Sequence, residues 1–263
     1  EHLVVQDIFM TETAWNADVI LPASAHAEKT GTYTNTNRQI QIGRAVVEPP
    51  NKVRQDWWII QEIAKRMGLS WSYKSPRDIF DEMKLVMPSL DNISWERLEK
   101  DNHVTYPVKS ELIPGEDIIF TDGFPTSNNL AKIIPVNLIN PNDELNSDFP
   151  LILSTGRLLE HWHTGTMTRR ALVLNELEPD PMIFMSQVDS NFYNIDLNKS
   201  VIIETRRGKI SIKIRHDDDL LPGMIFLPFC FKEAAANILT NSDLDPIGKI
   251  PELKFSAARV YQN

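Results

Sequence analysis

Ser200-Val-Ile-Ile-Glu-Thr-Arg-Arg-Gly-Lys-Ile-Ser-Ile-Lys-Ile-Arg215 is a pair of short apolar runs hinged at Arg207-Gly208. Alternation with period two puts one row of side chains inward, and a Gly in the hinge permits a tight turn, so the stretch predicts a β-hairpin. Similar runs lie on either side. Leu151-Ile-Leu153 and Met182-Ile-Phe-Met185 precede it, and Gly223-Met-Ile-Phe-Leu-Pro228 follows. A helical turn is expected in Glu233–Asn241, and a last strand in Leu253–Val260. Several short strands punctuated by turn signals fit a small closed barrel better than an open sheet.

The first part of the chain reads differently. Leu3 to Ile8 predicts a buried strand, and Asp18-Val-Ile-Leu-Pro22 a second one. Between them a helix is expected through Ala14, Ala17 and Val19, with Thr11 as its N-cap. Strand, helix and strand with short connections mark a parallel α/β sheet, whose strand ends are favoured ligand sites. Asp56 to Met67 predicts an amphipathic helix capped by Asp56 and stopped by Gly68. Ser75 and Pro76 open another helix over Ile79, Phe80 and Met83, and Trp95 and Leu98 mark a third. Their Met and aromatic residues read as core.

Tyr106 to Pro150 is rich in Pro, Asn and Asp and has little helical period, which predicts a surface linker. Lys132-Ile-Ile-Pro135 could open the strands of the second part. The fold class expected is therefore α/β followed by mainly β, with an α/β region over residues 1–130 and a barrel over 131–263.

Composition narrows the function. The 263 residues carry a formal charge of −9, which argues against a general nucleic-acid surface, although Arg169-Arg170 and Arg206-Arg207 could face a phosphorylated ligand. No apolar run is long enough to predict a membrane span. The single cysteine, Cys230, reads as a buried small residue and excludes a cysteine-ligated zinc or iron–sulfur site built from this sequence alone. Ser154 with His161 or His163 makes no ordered triad without a Gly-x-Ser-x-Gly turn. His161-x-His163 supplies only two ligands, so no metal site is assigned. Gly-x-Gly-x-x-Gly and Walker loops are both missing, which argues against ordinary nicotinamide and nucleoside triphosphate sites.

The remaining signals are polar loops. Ser154-Thr-Gly-Arg-Leu-Leu-Glu-His-Trp-His-Thr-Gly-Thr-Met-Thr-Arg-Arg170 follows a buried strand, so backbone N–H groups near Gly156 and Arg157 become available to an anion. Glu28-Lys-Thr-Gly-Thr-Tyr-Thr-Asn-Thr-Asn-Arg38 is dense in hydroxyls and amides. It reads either as ligand-lining or as a turn into an amphipathic strand, with Asn35 and Asn37 serving the turn. Guanidinium and ammonium groups suit pyrophosphate, and Asp and Asn suit ring N–H groups. A nucleotide-bearing cofactor would satisfy all of these loops.

Gln6-Asp-Ile-Phe-Met-Thr-Glu-Thr13, Ala17-Asp-Val-Ile-Leu-Pro-Ala23, Glu28 to Arg38, Thr155 to Arg170 and Ala236-Asn-Ile-Leu-Thr240 together resemble the molybdopterin oxidoreductases of the dimethyl sulfoxide reductase family. The resemblance is strongest to formate dehydrogenase catalytic subunits and next to periplasmic-type nitrate reductases. It implies the C-terminal part of a larger subunit, ending in a six-stranded double-psi-type barrel. The implied cofactor is bis-molybdopterin guanine dinucleotide carrying molybdenum or tungsten. Carried over by motif, its contacts are Gln6, Asp7, Lys29 and Asp56 in the first region, then Thr155, Gly156, Arg157, Glu160, His161, His163, Thr164, Phe229, Asn237 and Lys254 in the barrel.

The resemblance places the molybdenum ligand, its neighbouring His and a [4Fe-4S] cluster upstream, so no catalytic residue is expected in this sequence. The implied reaction is formate to carbon dioxide plus two electrons. The implied partners are the rest of the subunit and electron-transfer subunits, in the cytoplasm or, as the alternative, in the periplasm. The rival reading without an enzyme is a stand-alone barrel that binds a nucleotide or a protein.

Overall fold

A computed structural model describes residues 2–50 and 52–262, as two compact units that divide between Ile134 and Pro135. The first unit opens with β1 (Val4–Asp7) and β2 (Val19–Pro22), paired in parallel from Val4 opposite Val19 to Asp7 opposite Pro22. The expected helix between them shrinks to one 3-10 turn, Ala14–Asn16, with the Thr11 hydroxyl accepting from the Ala14 N–H at 3.2 Å. Asp18 explains the correction: its carboxylate accepts from the Leu3 N–H at 2.8 Å and its own N–H bonds Leu3 at 2.9 Å. That ties the chain back to β1 before a second turn can form.

The polar segment after Glu28 folds as the turn into an amphipathic strand. β3 (Gly31–Thr34) and β4 (Gln39–Gly43) form a hairpin in which Asn35 Oδ1 accepts from the Gln39 N–H at 2.9 Å, and Arg38 takes a positive φ of 67°. β5 (His103–Thr105) adds to the open edge of β4. Three helices complete the unit: α1 (Asp56–Arg66), α2 (Pro76–Val86) and α3 (Trp95–Asp101). The amphipathic faces bury Phe80, Trp95 and Leu98 with Ile40 and Val104 of the sheet, so Phe80 and Trp95 are core as expected, whereas Trp58, Met67 and Met83 lie exposed. Asp56 is the first residue of α1, not its cap; Gln55 holds the cap position and the Asp56 carboxylate turns elsewhere.

In the second unit β6 (Leu151–Gly156), β7 (Met182–Met185), β8 (Val201–Thr205), β9 (Lys209–His216), β10 (Met224–Pro228) and β11 (Ser256–Tyr261) close into a barrel in the order β10-β6-β11-β8-β9-β7. Two pairs, β10 with β6 and β9 with β7, run parallel, and the other four are antiparallel. The expected hairpin is β8–β9. Leu151, Leu153, Ile183, Met185, Val201, Ile203, Ile225 and Leu227 fill the interior, each worth about 1.5–3 kcal/mol when fully buried. Two short helices, α4 (Leu172–Leu177) and α5 (Gln187–Phe192), connect strands.

Lys132–Pro135 forms no strand, contrary to expectation. Ile133, Val136 and Leu138 are exposed with no strand beside them, and Pro135 has no N–H to donate to a ladder. The Arg206-Arg207 pair is not open to a ligand either. Both guanidiniums hold the buried carboxylate of Asp143, Arg207 at 2.5 Å, and Arg206 also donates to the Glu144 carbonyl at 2.8 Å. Arg169 is similarly committed, to Glu233 at 2.6 Å and to the face of Phe231. Among the described residues no helix is long and apolar enough to cross a membrane, and no group of His, Cys, Asp and Glu could hold a metal ion.

Candidate functional site

Parallel strands leave their carboxyl ends open, and in the first unit that is where the polar residues gather. The Gln6 amide, at the end of β1, donates to Asp56 Oδ1 at 2.7 Å, and the Lys29 ammonium pairs with Asp56 Oδ2. Burial pushes the Asp56 carboxyl up, and the bonds from Lys29 and Gln6 outweigh it, so the pKa lies below the usual carboxylate value. Three of the four residues expected from this unit therefore form one group. Lys29 and Asp56 also line a mainly apolar cavity of about 300 Å³ with Trp57, Ile79 and Met83.

Asp7 lies next to the group in sequence but turns back on its own chain, with Oδ1 accepting from the N–H groups of Ile8 at 2.7 Å and Phe9 at 3.0 Å. This is an Asx-type turn that shapes the strand end. One residue outside the expected set belongs here. Ser24, just past β2, is buried, and its Oγ is the one buried side-chain polar atom without a partner among the described residues. Its N–H bonds Arg54, two residues before Asp56. A serine after an apolar strand gives no sequence signal of that kind.

In the second unit the group forms where β6 ends. Gly156 is backed by Phe226: a Cβ there would lie 2.5 Å from the ring and 3.5 Å from Lys254 Nζ, so only glycine fits without displacement. Thr155 is buried and bonds the Leu253 carbonyl through its hydroxyl at 2.7 Å. The Lys254 ammonium donates to the Thr155 carbonyl, which leaves two of its three protons for other acceptors. The Phe229 N–H bonds the Gly156 carbonyl at 3.1 Å.

Arg157 is exposed, and no carboxylate pairs with it among the described residues. Its guanidinium faces Trp162 at 5.7 Å and Phe229 at 5.9 Å, and Nη2 lies 3.1–3.2 Å from both ring nitrogens of His163. A nitrogen equally close to both nitrogens of one imidazole fits a stacked contact better than an in-plane hydrogen bond. The result is a cation steadied by three flat rings. His163 adopts φ +49°, a left-handed conformation that closes the turn from Trp162 to Gly165.

The other expected residues separate. Thr164 is exposed and reaches Thr166 at 3.3 Å. Glu160 is half-buried, and the Arg215 guanidinium is held above its usual pKa first by its hydrogen bond with Glu178 and then by the charges of Glu178 and Glu160. Asn237 stands exposed on the 3-10 turn Ala236–Ile238 and joins no hydrogen bond with the Gly156 group among the described residues. His161, expected to face a ligand, is 1 % exposed, with Nε2 2.8 Å from the Glu178 carbonyl and Nδ1 3.2 Å from the Thr168 hydroxyl. Cys230 is buried, and desolvation pushes its thiol up to about 11.

Both groups fall inside regions that match known families. Residues 1–66 match the molybdopterin oxidoreductase model and residues 151–257 the molydopterin dinucleotide binding domain model. The chain is 42 % identical over 262 residues to the F420-dependent formate dehydrogenase subunit alpha of Methanocaldococcus jannaschii, covering 99 % of this chain and 39 % of that protein. It is 38 % identical over 263 residues to the F420-dependent formate dehydrogenase 2 subunit alpha of Methanococcus maripaludis, with the same coverages. Thus it spans about two fifths of the length of these relatives. Among solved structures, acetylene hydratase from Pelobacter acetylenicus superposes with a TM-score of 0.72 at 21 % identity, over 100 % of this chain and 40 % of that one. At that identity the likeness is one of fold.

Proposed function

We propose that this chain, which belongs to the molybdopterin oxidoreductase family, is the cofactor-holding C-terminal part of a formate dehydrogenase alpha subunit. The observation that carries the proposal is the group at the end of β6. An unpaired, ring-steadied guanidinium at Arg157 and a partly free ammonium at Lys254 flank a glycine that brings the backbone close to any bound anion. That donor set fits the diphosphate of a pterin dinucleotide, in a chain whose overall charge is −9 and which therefore places these cations against its own average.

When bound, the molybdenum- or tungsten-bearing dinucleotide would supply the two-electron chemistry. The residues of this chain hold it. Arg157 and Lys254 neutralise phosphate oxygens, Thr155 and Phe229 fix the backbone around Gly156, and Trp162 and His163 keep Arg157 from collapsing onto the barrel. In the first unit Asp56 accepts from ring N–H groups, with Gln6 and Lys29 holding its carboxylate ionised and oriented. The orphaned Ser24 hydroxyl beside this group is satisfied by a water or a ligand-borne partner. Formate as substrate, partner electron-transfer subunits, a [4Fe-4S] cluster outside this sequence and a cytoplasmic location are parts of the same proposal. They are supported by the names of the relatives and by the motif resemblance.

The test uses the complete polypeptide that carries this chain, purified anaerobically. Expected are a fluorescent pterin on oxidation, molybdenum or tungsten by mass spectrometry, and formate-dependent reduction of a viologen or of F420. Nitrate-dependent oxidation of reduced viologen without formate activity would sink the formate assignment and leave the cofactor assignment standing. The acetylene hydratase likeness makes a hydration assay the next one to run, because one fold can carry other reactions.

A further inference from the structure

We infer that His161, resting on the reading above, is a positioning residue for the cofactor loop: a buried imidazole that sets Trp162 and His163 against Arg157 without touching ligand. The carbonyl partner fixes the role of Nε2. A carbonyl oxygen only accepts, so the Glu178 carbonyl, 2.8 Å away, requires a proton on Nε2. The Thr168 hydroxyl accepts from the Trp162 N–H at 3.1 Å, which frees its own proton for Nδ1 at 3.2 Å. One direction runs through the whole chain: Trp162 N–H to Thr168, Thr168 O–H to His161, His161 N–H to Glu178. It calls for a proton on Nε2.

Both ends of this chain matter. At one end Glu178 is no loose carbonyl, since its carboxylate is held bidentately by Arg215 of β9 at 2.7 and 3.1 Å. The barrel wall thereby fixes the acceptor. The Arg215 guanidinium lies over Phe184, which packs edge-on against Phe226, the same ring that closes on Gly156. At the other end, the fixed N–H is that of Trp162, and the next residue is the left-handed His163. Phe231 packs edge-on against the buried imidazole at 5.6 Å. Rotating His161 would release Trp162, and the stacked box around Arg157 would open.

Two isosteric halves separate the bonds. His161→Gln places an amide at the reach of Nε2 and keeps the donor to Glu178, whereas His161→Asn places one at the reach of Nδ1 and loses it. In the complete cofactor-loaded polypeptide, the pterin remaining after gel filtration and its rate of loss, followed by fluorescence, are compared in these variants and in Thr168→Val, each with and without Arg157→Gln. Positioning groups around a bound cofactor commonly cost ten- to a hundredfold in affinity. His161→Asn is therefore expected to speed pterin loss at least about tenfold, and His161→Gln to restore most of it.

The decisive comparison is the cycle. In the Arg157→Gln background His161→Asn should add little, because the group it positions is already gone. Full additivity would show that His161 stabilises the loop independently of the cation and would overturn the inference. So would a long-range ¹H–¹⁵N spectrum showing the Nδ1–H tautomer. Absence of pterin from the unsubstituted polypeptide would instead bring down the functional reading on which the inference rests.

Discussion

Asp143 Oδ2 accepts the backbone N–H of Ala257 at 2.7 Å, across 114 positions of sequence. The carboxylate is 5 % exposed and also holds Arg206 and Arg207, so one side chain fastens the linker to β11 and to the β8–β9 hairpin. Burial pushes its pKa up; the Arg207 bond, the Ala257 N–H and Arg206 pull it further down, and it ends below the ordinary value of 3.8. Because the folded pKa is depressed, the stabilisation is complete above the unfolded value and disappears as pH falls through the folded one. Asp143→Asn should lower stability by about 3 kcal/mol at neutral pH, with the gap to the unsubstituted protein closing in acid below about pH 4. Urea unfolding followed by circular dichroism at pH 7 and pH 3 measures both.

Gly156→Ala tests the floor of the barrel group. The added methyl meets Phe226 at 2.5 Å, and displacing that ring disturbs its edge contact with Phe184. A cost of about 1–3 kcal/mol is expected, with loss of bound pterin from the complete polypeptide. An unchanged melting temperature would show that the ring moves freely.

Arg157→Lys keeps the charge and removes the flat fork. Since the guanidinium is exposed and stacked on Trp162 and Phe229, folding stability should hardly change while pterin retention falls about tenfold, some 1.4 kcal/mol. Equal retention by both proteins would reduce the role of Arg157 to charge alone.

Asp56→Asn frees Lys29 and Gln6 together. Side-chain exposures of 39 % for Asp56 and 28 % for Lys29 let solvent screen the pair, so less than about 1 kcal/mol of stability should be lost. Cofactor binding should suffer more than folding does. Thermal melts of the cofactor-free and cofactor-loaded polypeptides separate the two effects.

Cys230 should resist alkylation in the native protein at pH 8. Its thiol is buried and pushed up to about 11, so the reactive thiolate is scarce. Mass-spectrometric mapping should find the Cys230 peptide labelled only after denaturant is added.

The barrel strands are legible in the sequence because each one alternates and sits between turn residues, a local signal that packing reinforces; Leu151–Leu153 and the hinge at Arg207-Gly208 are examples. Where local and tertiary signals compete, reading fails. Thr11 followed by Ala14 and Ala17 suggests a helix, but the Asp18–Leu3 bonds decide, and nothing in the spacing announces them. The basic pairs could not be placed for the same reason, since Asp143 lies more than 60 positions from Arg206 and Arg207. Among the site residues, Gln6, Lys29 and Asp56 do gather, and so do Gly156, Arg157 and Lys254. His161 is misjudged because residue type cannot reveal a buried carbonyl at Glu178, and Ser24 is missed because burial without a partner leaves no mark on composition.

The strand order has a consequence for synthesis. β11 lies between β6 and β8, although it follows every other described strand in sequence. The cylinder therefore cannot be completed on the ribosome until Tyr261 has cleared the exit tunnel. Until then β6 and β8 present unsatisfied edges to solvent, where they invite strand exchange and chaperone capture. Loss of β11 alone would leave an open sheet with two sticky margins in place of a shorter barrel.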